Sequence, residues 1–559
     1  MQPPIAERRS FLRERPTGTV DDPYTWLSDP EDPAVIAHLE AENAYCNEWF
    51  APHAAITDAI FGEIRSRVQE TDDTVPVHKG SWWYVARTIE GKSYPVHCRG
   101  ESSATATTHV LLDENVEAAA GEYFAVGVFD VSPGHGLLAW SRDRDGSEEY
   151  ELLVRDLATG TDLPDRLERT YYGTAWSADD THLFYVVPDD AMRPYQVWRH
   201  RMGTAQSDDV LVYEESDERF FVSVDLSRSG EWIFIGSDSN DTSEVRLVPA
   251  DAPTSQPVLV RTRRQGHEYG LDHWGDRFVV LTNDDAVDFR VMTAPIAQPN
   301  DWTELIPHRT GCRISALEPF EQHLVVHEWS EAQPRLRVLM RNGVEHRIDT
   351  GDDPSDVELS ANPEYRTTSL RFTYQSLVEP ATLYEEDVVS GERRLLKRTP
   401  TPNVDLSAYV TERTWATAPD GARVPVDVVR RRDTPLDGTA PVLLYGYGAY
   451  EASTPPWFAV SRLSLLDRGW LWALAHPRGG GELGRGWYLD GKLLNKRNTF
   501  TDFIAAAEHL VALRWCDPSR VAIQGGSAGG LLVGVHLLAQ LLARGHQGFG
   551  LGVDGGFVL

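Results

Sequence analysis

The stretch Val521-Ala-Ile-Gln-Gly-Gly-Ser-Ala-Gly-Gly530 sets a short apolar run before a serine flanked by small residues, and the apolar segment Leu531 to Leu542 follows. It satisfies G-x-S-x-G between a strand-like and a helix-like run, the setting of a nucleophile elbow. A serine on so sharp a strand-to-helix turn tolerates only small neighbours, which Gly525, Ala528 and Gly529 supply. The following helix N-terminus favours negative charge developing on a substrate. A glycine-rich structural turn is the plainer alternative. Upstream, Trp470 to His476 and Val442 to Tyr447 read as buried parallel strands, and Phe500 to Arg514 as a helix with Thr499 as its cap. Strand, helix, strand with short connections predicts an α/β sheet. Asp420-Gly421 predicts a hairpin turn just before it.

The linker Thr399-Pro-Thr-Pro-Asn403 separates this region from a different pattern between residues 75 and 405. There, short alternating or apolar runs punctuated by Gly, Asp, Asn, Ser and Pro predict many short antiparallel strands. A weak repeat couples a turn to an apolar strand: Ser132-Pro-Gly-His-Gly-Leu-Leu-Ala-Trp140, Ser177-Ala-Asp-Asp-Thr-His-Leu-Phe-Tyr185, Ser227-Arg-Ser-Gly-Glu-Trp-Ile-Phe234. With fainter copies, the starts fall at residues 79, 132, 177, 227, 274, 320 and 363, successive starts lying 43 to 53 residues apart. That period fits one four-stranded propeller blade per unit, and seven starts predict seven blades. A β-sandwich with similar turns is the alternative.

Before residue 75 the pattern is helical. Asp32 is an N-cap ahead of Pro33, and Ile36, Leu39, Cys46 and Trp49 recur at helical spacing, with a second helical stretch from Ile60 to Val68. At 559 residues the chain exceeds one ordinary core. A formal charge of −32 disfavours nucleic acid as a partner. No apolar run reaches the ~20 residues that span a bilayer, so no membrane partner is expected. Met1 to Pro16 lacks the apolar core of a secretory signal. Cys46, Cys98, Cys312 and Cys516 are scattered without metal-ligand spacing, as free thiols in a reducing cytosol would be. No cofactor and no metal is expected. Gly479-Gly-Gly-Glu-Leu-Gly484 formally matches G-x-G-x-x-G with Asp502 beyond it, but Arg485-Gly-Trp-Tyr-Leu-Asp-Gly491 is a poor helix start, so a structural loop is the preferred reading.

Tyr445-Gly-Tyr-Gly-Ala-Tyr450, Arg462-Leu-Ser-Leu-Leu-Asp-Arg-Gly469, Arg478-Gly-Gly-Gly-Glu-Leu-Gly484, Asn498-Thr-Phe-Thr-Asp-Phe503 and Gly525-Gly-Ser-Ala-Gly-Gly530, in this order, resemble the prolyl oligopeptidase family of serine peptidases, most of all its oligopeptidase B branch. Asp22-Pro-Tyr-Thr-Trp-Leu27 and Glu42-Asn-Ala-Tyr45 extend the resemblance from the N-terminus to about residue 534. The resemblance implies three parts. A helical extension (1–74) packs on the hydrolase domain, a seven-bladed β-propeller covers 75–405, and an α/β-hydrolase domain covers 406–559. It implies cytosolic hydrolysis of short peptides through an acyl-enzyme on Ser527, with basic-residue preference suggested by the branch. The Tyr447 hydroxyl and the Ala528 N–H would form the oxyanion hole.

The chain also departs from the family. The hydrolase triad runs Ser, then Asp or Glu, then His. After Ser527 stand only His536, His546 and Asp554, in the wrong order, and His536 falls in the helix leaving the elbow. The triad Asp and His are therefore expected to be absent, the hydrolase domain incomplete and the chain inactive. Past Gly534 the residues leave the family pattern, which suggests a frameshift or premature stop near Val535. Thr454-Pro-Pro-Trp457 lacks acidic residues that could support basic specificity. Two alternatives remain: an esterase or acylaminoacyl-type hydrolase on the same fold, and a propeller peptide-binding module with a dead hydrolase remnant. Oligomeric state is left open.

Overall fold

A computed structural model of the chain describes residues 2–118 and 123–534, together with the backbone of two short paired strands, Gly552–Asp554 and Gly556–Val558. Seven antiparallel sheets follow one another between Asp72 and Arg398. Six have four strands; the first has a fifth, Val77–Lys79, beside Trp82–Thr88. This is the seven-bladed propeller, and seven separate sheets rule out the sandwich.

The repeat has a physical cause. Its start is the turn between the two innermost strands of a blade. Ser132, Ser177 and Ser227 donate their backbone N–H to the carbonyls of Leu137, His182 and Trp232 at 3.0, 2.9 and 2.7 Å. Each serine hydroxyl oxygen then accepts the N–H of that same residue, at 3.2, 2.9 and 3.0 Å. All three serines are buried, so the side chain satisfies a backbone group that water cannot reach. Strand patterning follows position. In the innermost strand Phe221–Leu226, Val222 and Val224 are buried while Phe221, Ser223 and Asp225 are exposed. The second strand of the preceding blade, His182–Pro188, buries Leu183, Phe184, Tyr185 and Val186 in succession, because blades cover both its faces.

The second sheet system comprises β1 (Tyr409–Thr417), β2 (Arg423–Arg431), β3 (Val442–Tyr445), β4 (Leu471–Ala475) and β5 (Val521–Gln524). Their order is β1-β2-β4-β3-β5. β1 and β2 form the hairpin expected at Asp420-Gly421, where Gly421 takes φ +90°. β3 runs parallel to both neighbours, with Tyr445 opposite Leu474 and Gln524. One face packs Val424, Val426, Leu444, Ala473 and Ile523 against Phe503, Ala506 and Leu510 of the helix Arg497–Ala512. That helix begins earlier than expected, and Thr499 is not its cap. Lys496 holds the cap position without a side-chain bond, while buried Thr499 donates to the Arg478 carbonyl at 2.6 Å. Satisfying a buried carbonyl outweighs capping a helix end that other groups can solvate.

Residues 1–68 and 402–404 form a separate compact unit. Its helices are α1 (Pro33–Phe50) and α2 (Ala54–Ser66), and Asp32 caps α1 by accepting the Ala34 N–H at 2.8 Å. A hairpin of Leu12–Arg15 and Gly18–Asp21, unforeseen in the sequence reading, precedes them.

Candidate active site

Ser527 stands between β5 and a helix described over 528–534. It is exposed and holds φ 52°, the left-handed region that costs an L-residue about 1–2 kcal/mol. Strain of this kind persists only where the surroundings impose it. Here the Gly529 N–H donates to the Gly526 carbonyl at 2.8 Å, and Gly530 N–H to the Ser527 carbonyl at 2.9 Å. A Cβ at Gly525 would collide with the Gly529 carbonyl, and one at Gly529 would lie 2.7 Å from the Gly446 carbonyl. The same Cβ would lie 3.6 Å from the Tyr447 Cα and ring. Only glycines let the end of β3 press against the elbow, and that contact carries half-buried Tyr447 to the serine turn. Ala528 opens the helix, where the first N–H groups lack partners within the helix.

The sequence-predicted residues Ser527, Tyr447 and Ala528 thus converge. His536 and His546 lie outside the described residues, and of Asp554 only its strand is described. Among the described residues no histidine or carboxylate is bonded to the Ser527 side chain.

The glycine-rich segment is a structural support. Asp502, the acid of the formal dinucleotide pattern, is buried and accepts from Arg478 N at 2.9 Å, Nε at 2.8 Å and Nη2 at 2.6 Å. A helix does follow, Arg485–Leu489, but of five residues only. Gly479, at φ +105°, lies so close to the Gly448 carbonyl that any Cβ would collide with it. Lys496 Nζ donates to that carbonyl at 2.6 Å.

A buried charged chain lies at the end of β4, unforeseen in the sequence reading. His476 Nε2 is 2.9 Å from Asp427 Oδ2, and its Nδ1 is 3.5 Å from Glu482 Oε1. Arg413 grips both oxygens of Asp427 at 2.6 and 2.7 Å. Burial alone would lower the His476 pKa, but Asp427 and Glu482 outweigh it and raise the value. Burial alone would raise that of Asp427, but Arg413 and His476 hold it down. The only sequence signal for this chain was a histidine and a glutamate bracketing the glycine run 476–482.

A seven-bladed propeller joined to an α/β sheet with a G-x-S-x-G turn defines a propeller-bearing hydrolase. The chain belongs to the prolyl oligopeptidase family of serine peptidases. Its residues 3–399 match the N-terminal beta-propeller domain of prolyl oligopeptidase, and residues 456–541 match the prolyl oligopeptidase family domain. Dipeptidyl aminopeptidase BI of Pseudoxanthomonas mexicana is 40% identical over 555 residues, covering 95% of this chain and 77% of that protein. Protease 2 of Moraxella lacunata is 35% identical over 542 residues, covering 96% and 78%. The structure of oligopeptidase B from Leishmania major is similar with a TM-score of 0.92 at 32% identity, over 96% of this chain and 80% of that one. The family resemblance and the propeller expectation both hold.

Proposed function

We propose that Ser527 is the nucleophile of an acyl-transfer reaction on short peptides, with the Tyr447 hydroxyl and the Ala528 N–H stabilising the tetrahedral oxyanion. The observation that carries this reading is the left-handed φ of an exposed serine at a strand-to-helix turn, with Tyr447 packed against the same turn. In the reaction the serine oxygen attacks the scissile carbonyl and the negative charge moves to the carbonyl oxygen. Donors fixed in advance are worth most at that point. The amine then leaves with a proton, and water cleaves the ester.

Serine needs a base to take its proton, and that base needs a third group to orient it. The described residues place neither beside Ser527, so on their own they are proposed to supply the nucleophile and the oxyanion donors without the base that turnover needs. The residual catalysis expected from oxyanion donors and binding is ~10³–10⁴-fold over water. A cytosolic setting accords with Cys46, Cys98, Cys312 and Cys516 all being unpaired. No helix among the described residues is long and apolar enough to cross a membrane.

The test is fluorophosphonate labelling with mass-spectrometric site assignment. Labelling of Ser527 is expected to be slow in the 559-residue chain, absent in Ser527→Ala, and fast once the corresponding C-terminal segment of a family relative is appended. Rapid peptide turnover by the 559 residues, abolished by Ser527→Ala, would show that they already contain the base. Peptide binding without labelling in the extended chain would favour a binding module.

A further inference from the structure

The Tyr447 turn is tied to the propeller. Tyr450 and Glu451 both take φ 59°, two successive left-handed residues without a glycine between them. Such a pair is unfavourable in isolation and needs an external hold. Glu451 supplies it. Its Oε1 accepts Arg313 Nε at 2.7 Å and its Oε2 accepts Arg485 Nη1 at 2.8 Å, so each carboxylate oxygen has a charged donor. Its backbone N–H donates to the Gly479 carbonyl at 3.1 Å.

Arg313 belongs to the sixth blade, in the strand Cys312–Pro319, and its guanidinium lies 3.7 Å from the Phe289 ring centroid. Arg485 reaches the fifth blade through an ion pair with Glu268, and its backbone N–H donates to Asp288 Oδ1 at 2.6 Å. Gly484 at φ +93° makes that approach possible, since a Cβ there would lie 2.6 Å from the same oxygen. The four side chains Arg313, Glu451, Arg485 and Glu268 balance in charge, and both arginines and Glu451 are largely buried. An ion pair held out of water in this way gains little net by forming, but it is costly to break on one side, because the remaining charge is left buried without a partner.

We propose that Glu451 is a positioning residue, and that Arg313 and Arg485 hold it so that the seating of the fifth and sixth blades sets the conformation of the Tyr447 turn. The functional half of this inference rests on Tyr447 being an oxyanion donor. The structural half does not.

Arg313→Met and Glu451→Gln, made in the full chain, test it by amide hydrogen exchange of peptides covering residues 446–454. Exchange there is expected to rise by about tenfold or more in both variants, with the strands of the second to fourth blades unchanged. Arg313→Lys, which keeps the charge but not the forked geometry, should restore most of the protection. Unchanged exchange at 446–454 in both variants overturns the proposal, as does a rise spread evenly over the propeller. Fluorophosphonate labelling of Ser527 with imidazole as an external base supplies a second readout, with Tyr447→Phe for comparison. Slower labelling in Tyr447→Phe alongside unchanged exchange in Arg313→Met refutes the coupling and leaves the oxyanion reading intact. Loosened exchange in Arg313→Met with undiminished labelling in Tyr447→Phe supports the coupling and refutes the oxyanion role.

Discussion

Among the described residues, six seams of the propeller hold clusters of buried apolar side chains, and the seam between the seventh blade and the first is polar by contrast. Between the second and third blades lie Val128, Leu152, Trp176 and Leu183; between the sixth and seventh lie Val325, Leu336, Leu370 and Phe372. Among the described residues no such cluster joins the seventh blade to the first. There, Lys397 Nζ pairs with Asp72 Oδ2 at 2.6 Å, Arg371 Nη1 donates to the Pro76 carbonyl at 2.8 Å, and Gly80 N–H donates to Glu364 Oε1 at 2.6 Å. A cavity of about 300 Å³ runs along this seam, lined by Asp72, Thr74, Ala86, Leu383 and Lys397 among others. Each blade is a separate sheet, so among the described residues no strand pairing closes the ring either. Packed seams lose stability with every buried atom removed, whereas a charged, half-exposed seam contributes little and responds to salt. A ring built this way is weakest where its two ends meet.

Three measurements would break or sharpen the contrast. The largest effect is expected from Phe372→Ala, which empties a fully buried position in the sixth–seventh seam. It should cost about 3–5 kcal/mol in denaturant unfolding. A cost below about 1 kcal/mol, the range of a surface ion pair, would show that this seam is no better packed than the seventh–first.

The second concerns a charge inside a packed seam. His200 is fully buried, with Nδ1 2.7 Å from Asp209 Oδ1 and Nε2 3.0 Å from Asp165 Oδ1. Burial alone would lower its pKa, but the bonds to Asp209 and Asp165 outweigh it and raise the value above 6.5. Its contribution to stability is therefore complete below the unfolded value of ~6.5 and is lost as pH rises through the folded value. His200→Gln should cost about 1–3 kcal/mol at pH 6, and the gap from the parent should narrow towards pH 9. A gap that widens with pH would mean the histidine is buried neutral.

The smallest global effect is expected from Lys397→Met at the seventh–first seam, below about 1 kcal/mol. Amide exchange in Trp82–Thr88 and Thr382–Asp387 should nevertheless rise, and 1 M salt should mimic this in the parent. Loss of several kcal/mol would show that the ring end is held as firmly as the packed seams.

The legible parts of this protein share one property: their cause is local. Seven turns with a serine or its substitute before an apolar strand, the glycines around Ser527, and Asp32 ahead of Pro33 each act within a few residues. Chain geometry alone therefore requires them. What the sequence left hidden depends on residues brought together from far apart. Arg313 and Glu451 are 138 residues apart, Arg485 and Glu268 217, and Lys397 and Asp72 325. Thr499 looked like a cap because capping is a local rule, yet the Arg478 carbonyl beside it in space claimed its hydroxyl. Local rules set where strands, turns and the serine elbow fall, because backbone sterics and alternating burial act on neighbours. Which charges are buried, which seam is polar and what holds the Tyr447 turn were decided only when the ring closed and the blades met the sheet. Those interactions depend on distances in space that the order of residues does not encode.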